Sequence, residues 1–253
     1  MNSNQNQKDI DFKTSLSNAY AIIRSQLPWS HPKSPEIMHH RVLPHATYSP
    51  WLLDENFQSI YDLIKEHTLV DIYRCYELWT LAHQLQNVPG NFLEVGVWRG
   101  GTGALLAKAI EKIDSDQLIY LADTFSGVVK AGADDTVYSG GEHADTSIEI
   151  VTQLFNKLNL FNYKLLEGIF PEQTANTLES KIAFLHCDVD VYSSAKGVIE
   201  WTIPRLSTGG AIVFDDYGFS GCEGVTRLVN ELRVNKEFIF VHNLNGHAIL
   251  IKK

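Results

Sequence analysis

The chain has 253 residues, 44% hydrophobic and 20% charged, enough to bury the core of one α/β domain with an additional terminal segment. Its net charge of −9 and the lack of a long basic block exclude nucleic acid or an anionic membrane as the main partner. No apolar run reaches the ~18 residues of a membrane span, and the polar start from Met1 to Lys8 lacks the apolar stretch of a signal peptide.

Three widely spaced cysteines, Cys75, Cys187 and Cys222, form no CxxC pattern and read as free thiols of a reducing cytoplasm. Residues 1–10 are expected to be disordered. Phe12 to Leu27 carries Leu16, Ala19, Ile22, Ile23 and Leu27 at helical spacing. Pro28 to Pro50, interrupted by Pro32, Pro35 and Pro44, has no sustained periodicity and reads as an irregular lid or binding loop. Its His31, His39, His40 and His45 have no helical or strand frame to fix their spacing. They read as solvated histidines near a substrate mouth rather than as metal ligands. Asp54 to Gln86 predicts two helices that break near His67–Thr68, with Ile60, Leu63 and Ile64 on one apolar stripe and Ile72, Cys75, Leu78, Trp79 and Leu81 on the next. Asn87–Gly90 is a turn. The aromatic leading helices are candidates for a homo-oligomeric interface or for a lid.

Strand, glycine-rich turn and helix then follow directly. Asn91–Val95 leads into Gly96, Gly100, Gly101 and Gly103, and Ala104–Lys112 is helical. Glycines admit close backbone approach, and the helix start offers unpaired N–H groups to a ligand. The spacing is not G-x-G-x-x-G, which weakens a dinucleotide reading. Gln117–Ala122 predicts a second strand ending in Asp123, which lies 27 positions after Gly96 and so at the reach of a ribose hydroxyl acceptor. As alternatives, the glycines could make a purely structural turn and Asp123 could cap a helix. Ser126–Asp145 is a glycine- and acid-rich loop containing Glu142 and His143. Thr146–Leu158 predicts a helix, Tyr163–Glu167 a strand, and Gly168–Pro171 the loop at its carboxyl end.

The stretch Ala183–Tyr192 and the stretch Ala211–Tyr217 organise the rest. Each is an apolar run that ends abruptly in carboxylates, Asp188 and Asp190 in the first and Asp215 and Asp216 in the second. Strands apolar on both faces belong to a parallel sheet covered by helices. With Ser193–Leu206 as a helix and Ser207–Gly210 as a turn, they form a strand–helix–strand crossover that puts both acid pairs at one sheet edge, where ligands bind. Acids so crowded raise one another's pKa unless a cation sits among them, and an all-oxygen set suits Mg²⁺. Glu223–Asn235 predicts a helix, and Glu237–His242 with His247–Ile251 around Asn243–Gly246 predicts an antiparallel hairpin.

Glu94-Val-Gly-Val-Trp-Arg-Gly-Gly101, Ala122-Asp-Thr-Phe-Ser-Gly127, Asp188-Val-Asp-Val-Tyr192 and Asp215-Asp-Tyr217 resemble, in this order, the macrocin O-methyltransferase family. The resemblance spans about residues 44–251. It implies a Rossmann-like class I methyltransferase fold: a mostly parallel seven-stranded sheet with a C-terminal antiparallel hairpin, helices on both faces and an N-terminal extension over residues 1–50. It also implies an S-adenosylmethionine- and Mg²⁺-dependent O-methyltransferase of natural-product biosynthesis, acting on a hydroxyl of a sugar or other vicinal diol. Carried over, Glu94, Gly96, Trp98, Gly100, Gly101 and Thr102 surround the methionine part of the cofactor. Asp123 holds its ribose, Gly168, Ile169 and Phe170 border its adenine, and Thr124 and Asp188 complete the cofactor-binding set. Asp188, Asp215 and Asp216 become the metal ligands, and His143 or Asp190 the base. The chain departs from the family in Val189, where an Asp-Gly-Asp is usual, and in lacking basic residues around Ser139–Glu142. Rival readings are a haloacid-dehalogenase-like phosphatase, whose intervening motifs need a longer separation, a nicotinamide dehydrogenase, which has no use for clustered acids, and a non-catalytic cofactor binder.

Overall fold

The structure is a computed structural model that describes residues 2–25, 28–40, 48–111, 116–178 and 181–253. It divides into two compact units, residues 1–49 and 50–253. In the first, helix α1 spans Asn2–Ser25, and strands β1 (Pro28–His31) and β2 (Ser34–His40) pair antiparallel. Two expectations are corrected here. The segment before Phe12 is helical rather than disordered, because once a helix is nucleated each added residue gains a hydrogen bond for the order it loses. The stretch after Pro28 opens as a hairpin, with Trp29 opposite His39 and Pro28 opposite His40. A strand of four residues is too short to display a period. Pro44, His45 and Thr47 lie outside the described residues.

In the second unit, α2 (Glu55–Ile64) and α3 (Ile72–Leu85) are separated by a single 3₁₀ turn at Lys65–His67, as the break near His67 predicts. Asp54 and Asp71 cap them, accepting from the N–H groups of Phe57 and of Tyr73 and Arg74. Then follow β3 (Asn91–Val95), α4 (Gly101–Ala109), β4 (Ile119–Asp123), α5 (Ile148–Lys157), β5 (Tyr163–Glu167), β6 (Ile182–Cys187), α6 (Tyr192–Thr202), β7 (Leu206–Phe214), α7 (Glu223–Leu232), β8 (Phe238–His242) and β9 (Ala248–Lys252). Helix α4 starts three residues earlier than its sequence suggests, because Gly100 takes a left-handed φ of 85° and turns the chain into the helix at once. Ser207–Gly210 is not a free turn but part of β7. Ile182 pairs with Leu206 and Phe184 with Ala211, so the extra residues bulge inside the ladder.

The seven strands lie in the order β5-β4-β3-β6-β7-β9-β8, parallel except for β9, which runs antiparallel to both β7 and β8. Alternate strand residues feed two cores. Phe92, Leu121, Phe184 and Val213 pack with α2–α5 on one face, and Leu93, Tyr120, Leu185 and Ile212 pack with α6 and α7 on the other. The chain leaves β3 toward β4 on one side, while β6 and β7 build the other side. The carboxyl ends of β3 and β6 therefore border the crevice where open α/β sheets bind ligands. No helix among the described residues is long and apolar enough to cross a membrane.

Candidate active site

The turns after β3, β4, β5, β6 and β7 surround one cavity of about 290 Å³. Two of them meet at Gly96. A methyl group there would stand 1.6 Å from the carbonyl oxygen of Asp188, so only glycine lets the exits of β3 and β6 pass. Asp123, at the end of β4, organises the glycine turn. Its Oδ2 accepts the N–H groups of Val97 at 2.7 Å and Trp98 at 2.9 Å, and its Oδ1 accepts that of Phe125 at 2.7 Å. Trp98 is clamped in turn, its Nε1 donating to Asp145 at 2.9 Å and its carbonyl accepting from Thr146. Gly96, Trp98, Thr102, Asp123, Thr124, Gly168, Ile169 and Phe170 all line the cavity.

Three residues of the expected cofactor set stand behind the wall instead. Gly100 and Gly101 serve packing, against Val151 and against the backbone of His67. Glu94 is fully buried under the turn, and its Oε1 is 2.9 Å from Nδ1 of His186. The parallel register sets Glu94 beside His186, which brings two polar side chains together in an otherwise apolar layer.

On the opposite wall, carboxylate oxygens of Asp188, Asp215 and Asp216 all lie within 4.8 Å of one another. Burial, then the charges of Asp215 and Asp216, pushes the Asp188 carboxyl well above the usual range. Burial, then the neighbouring Asp190 and Asp215, does the same to Asp216. Asp215 goes the other way. Burial alone would raise it, but the imidazoles of His186 and His247 and the guanidinium of Arg74 hold it well below the ordinary range. Its Oδ1 lies 2.9 Å from Nε2 of His247 and 3.5 Å from Nε2 of His186, and its Oδ2 is ion-paired with Arg74. His247 is aimed from behind by Glu77, 2.5 Å from its Nδ1.

Asp190 sits at a left-handed φ of 63°, its N–H donating to Oδ2 of Asp216 at 2.9 Å. Tyr138 and His143 share the cavity with it. Burial, partly offset by Tyr138, raises the Asp190 carboxyl. All five candidate acid, base and metal positions thus face one space. Arg74, Glu77, Tyr138, His186 and His247 have no counterpart in the sequence-based set. A histidine inside the apolar run Phe184-Leu-His-Cys187 was the one local signal, since a buried polar residue implies a buried partner. The others lie too far away in sequence to be paired by pattern.

A family model described as Macrocin-O-methyltransferase (TylF) matches residues 61–244. The 8-demethyl-8-(2,3-dimethoxy-alpha-L-rhamnosyl)-tetracenomycin-C 4'-O-methyltransferase of Streptomyces olivaceus is 29% identical over 185 residues, covering 68% of this chain and 69% of that protein. The mycinamicin III 3''-O-methyltransferase of Micromonospora griseorubida is 31% identical over 174 residues, 62% of this chain and 67% of its own length. The solved O-methyltransferase NovP superposes with a TM-score of 0.61 at 25% identity over 74% of this chain and 82% of its own. CalS11, a calicheamicin methyltransferase, shares the fold with a TM-score of 0.58 at 19% identity over 81% of this chain and 94% of its own.

Proposed function

The chain belongs to the macrocin O-methyltransferase family of S-adenosylmethionine-dependent enzymes, and from that premise we propose that it methylates a hydroxyl of a sugar or similar vicinal diol on a natural product with the help of a hard divalent cation. The supporting observation is that one cavity joins two unlike walls. The turn held by Asp123 and the start of α4 suits a nucleoside and a charged amino acid, and the carboxylates suit a cation. The tetracenomycin relative named above acts, by its name, on a rhamnosyl-bearing natural product, which favours the same acceptor class here.

The donor set fits such a cation. The buried carboxylates of Asp215 and Asp216 converge with the half-buried one of Asp188, and among the described residues only Asp215 of the three has countercharges bonded to it, so Asp188 and Asp216 are left to repel each other. Asp188, Asp215 and Asp216 would hold the ion, and it would supply the positive charge that lowers the pKa of a chelated hydroxyl. S-adenosylmethionine would be held by Gly96, Trp98, Thr102, Asp123 and Thr124, with Gly168, Ile169 and Phe170 at its adenine, and would supply an electrophilic methyl group.

The chain's own residues do the rest. A protonated hydroxyl is a poor nucleophile, so a base must stand within reach of its proton. Asp190, His143 and Tyr138 all face the cavity. Asp190 can take the proton itself or position a water that does, with His143 as the alternative acceptor. Phe170, Ile169 and Phe219 give the walls their apolar surface, which keeps bulk water from competing for the methyl group.

Asp188→Asn or Asp215→Asn is expected to abolish turnover while leaving the calorimetric affinity for S-adenosylhomocysteine near that of the wild type. Wild-type rates in either variant would remove the metal from this reading. S-adenosylhomocysteine at ~100 times its dissociation constant should add about 2.7 kcal/mol to stability, and Mg²⁺ should raise the midpoint further.

A further inference from the structure

Arg74 stands in the carboxylate wall with no task in the proposal above. It lies in the first turn of α3, where its backbone N–H and its Nε both bond Asp71, at 3.1 and 2.9 Å. The side chain is 9% exposed and its guanidinium carbon is 4.7 Å from the centre of the Phe219 ring. The direction of the group is therefore set at the helix start and by the aromatic face. Its Nη1 pairs with Oδ2 of Asp215, while Oδ1 of the same carboxylate has His247 at 2.9 Å. Both oxygens of Asp215 are thus engaged. Asp188 and Asp216 open on the same cavity, with carboxylate oxygens within 4.8 Å of Asp215.

We infer that Arg74 is a built-in counter-ion of the carboxylate cluster that competes with a divalent cation for Asp215. The guanidinium lets the chain fold with its acids together in the absence of metal, and the ion enters by taking Oδ2 from it. This rests on the reading of Asp188, Asp215 and Asp216 as the cation site. Two consequences separate competition from a merely structural ion pair. Taking a fixed positive charge away from a cation site strengthens that site, so Arg74→Met should bind Mn²⁺ more tightly. Leaving Asp215 without its partner destabilises the metal-free protein, and only the ion can replace what was lost.

The experiment is a calorimetric Mn²⁺ titration of the full chain as wild type, Arg74→Met and Arg74→Met/Asp188→Asn, with thermal unfolding in chelator and in Mn²⁺. Arg74→Met is expected to tighten Mn²⁺ binding about tenfold or more, to unfold at a lower temperature than the wild type in chelator, and to regain the difference in Mn²⁺. The added Asp188→Asn should weaken the binding again. Equal or weaker binding by Arg74→Met overturns the inference and leaves the metal reading standing. No binding by either the wild type or Arg74→Met removes both. The wild type provides a check that does not depend on the variant folding. Its Arg74 side-chain NMR resonance, assigned by its loss in Arg74→Lys, should shift and exchange faster with solvent as Mg²⁺ saturates the site, and an unmoved resonance counts against the competition.

Discussion

Asp123 uses both carboxylate oxygens to hold two backbone turns, accepting from Val97, Trp98 and Phe125. An asparagine of the same size keeps one carbonyl oxygen and replaces the other acceptor with a donor that faces N–H groups. Hydrogen bonds to a charged group contribute about 1.5–3 kcal/mol each. Asp123→Asn is therefore expected to loosen the glycine turn and weaken S-adenosylhomocysteine binding by about tenfold or more in calorimetry. His186 offers a second test at this scale. Burial would lower its pKa, but the carboxylates of Asp215 and Glu94 on either side carry it up to about 10. A folded-state pKa above the unfolded one means that protonation favours the fold. This contribution is complete below about pH 6.5, the ordinary imidazole value, and is lost as the pH rises to about 10. The stability gap between wild type and His186→Gln should shrink over that window in thermal unfolding, and a constant gap would show that the imidazole carries no extra proton. The family resemblance implies a cofactor role for Glu94. Strand alternation turns its carboxylate inward, beneath the glycine turn and against His186.

The turn between β3 and α4 sets how closely β3 and β6 approach. Gly96 has a φ of 92° and lies against the Asp188 carbonyl. Gly96→Ala therefore combines a strained backbone, worth ~1–3 kcal/mol by itself, with a clash between two strand exits. A fall of ~5 °C or more in the unfolding midpoint is expected, accompanied by loss of cofactor binding because the backbone of the glycine turn must move. Most elements were legible at this scale. The strand Tyr163–Glu167 matches its predicted bounds, and the C-terminal hairpin forms around Asn243–Gly246. Such segments have a strong period or strong turn chemistry. The hairpin at Pro28–His40 and the bulge at Ser207–Gly210 have neither. Proline and glycine mark them as breaks, yet each is an irregular strand held by its neighbour.

At the level of the whole molecule, both core clusters lie within residues 50–253 among the described residues, beginning with Trp51. A chain of residues 50–253 is therefore expected to unfold cooperatively and to bind S-adenosylhomocysteine like the full protein.

The sequence by itself determined the class of fold, the order of its strands along the chain and the edge at which chemistry collects. These follow from local properties: apolar runs of strand length, glycines where the backbone must turn, and acids at strand ends. Only the tertiary structure decided what those acids touch. Asp215 meets Arg74 from 141 positions away and His247 from 32, and Glu94 meets His186 from 92. Such partners are chosen by strand register and by the packing of α3 on the sheet, in which no single segment carries the information. The charge state of the site is for this reason a property of the folded molecule, in which one aspartate is held ionised while its neighbours are driven toward the neutral form.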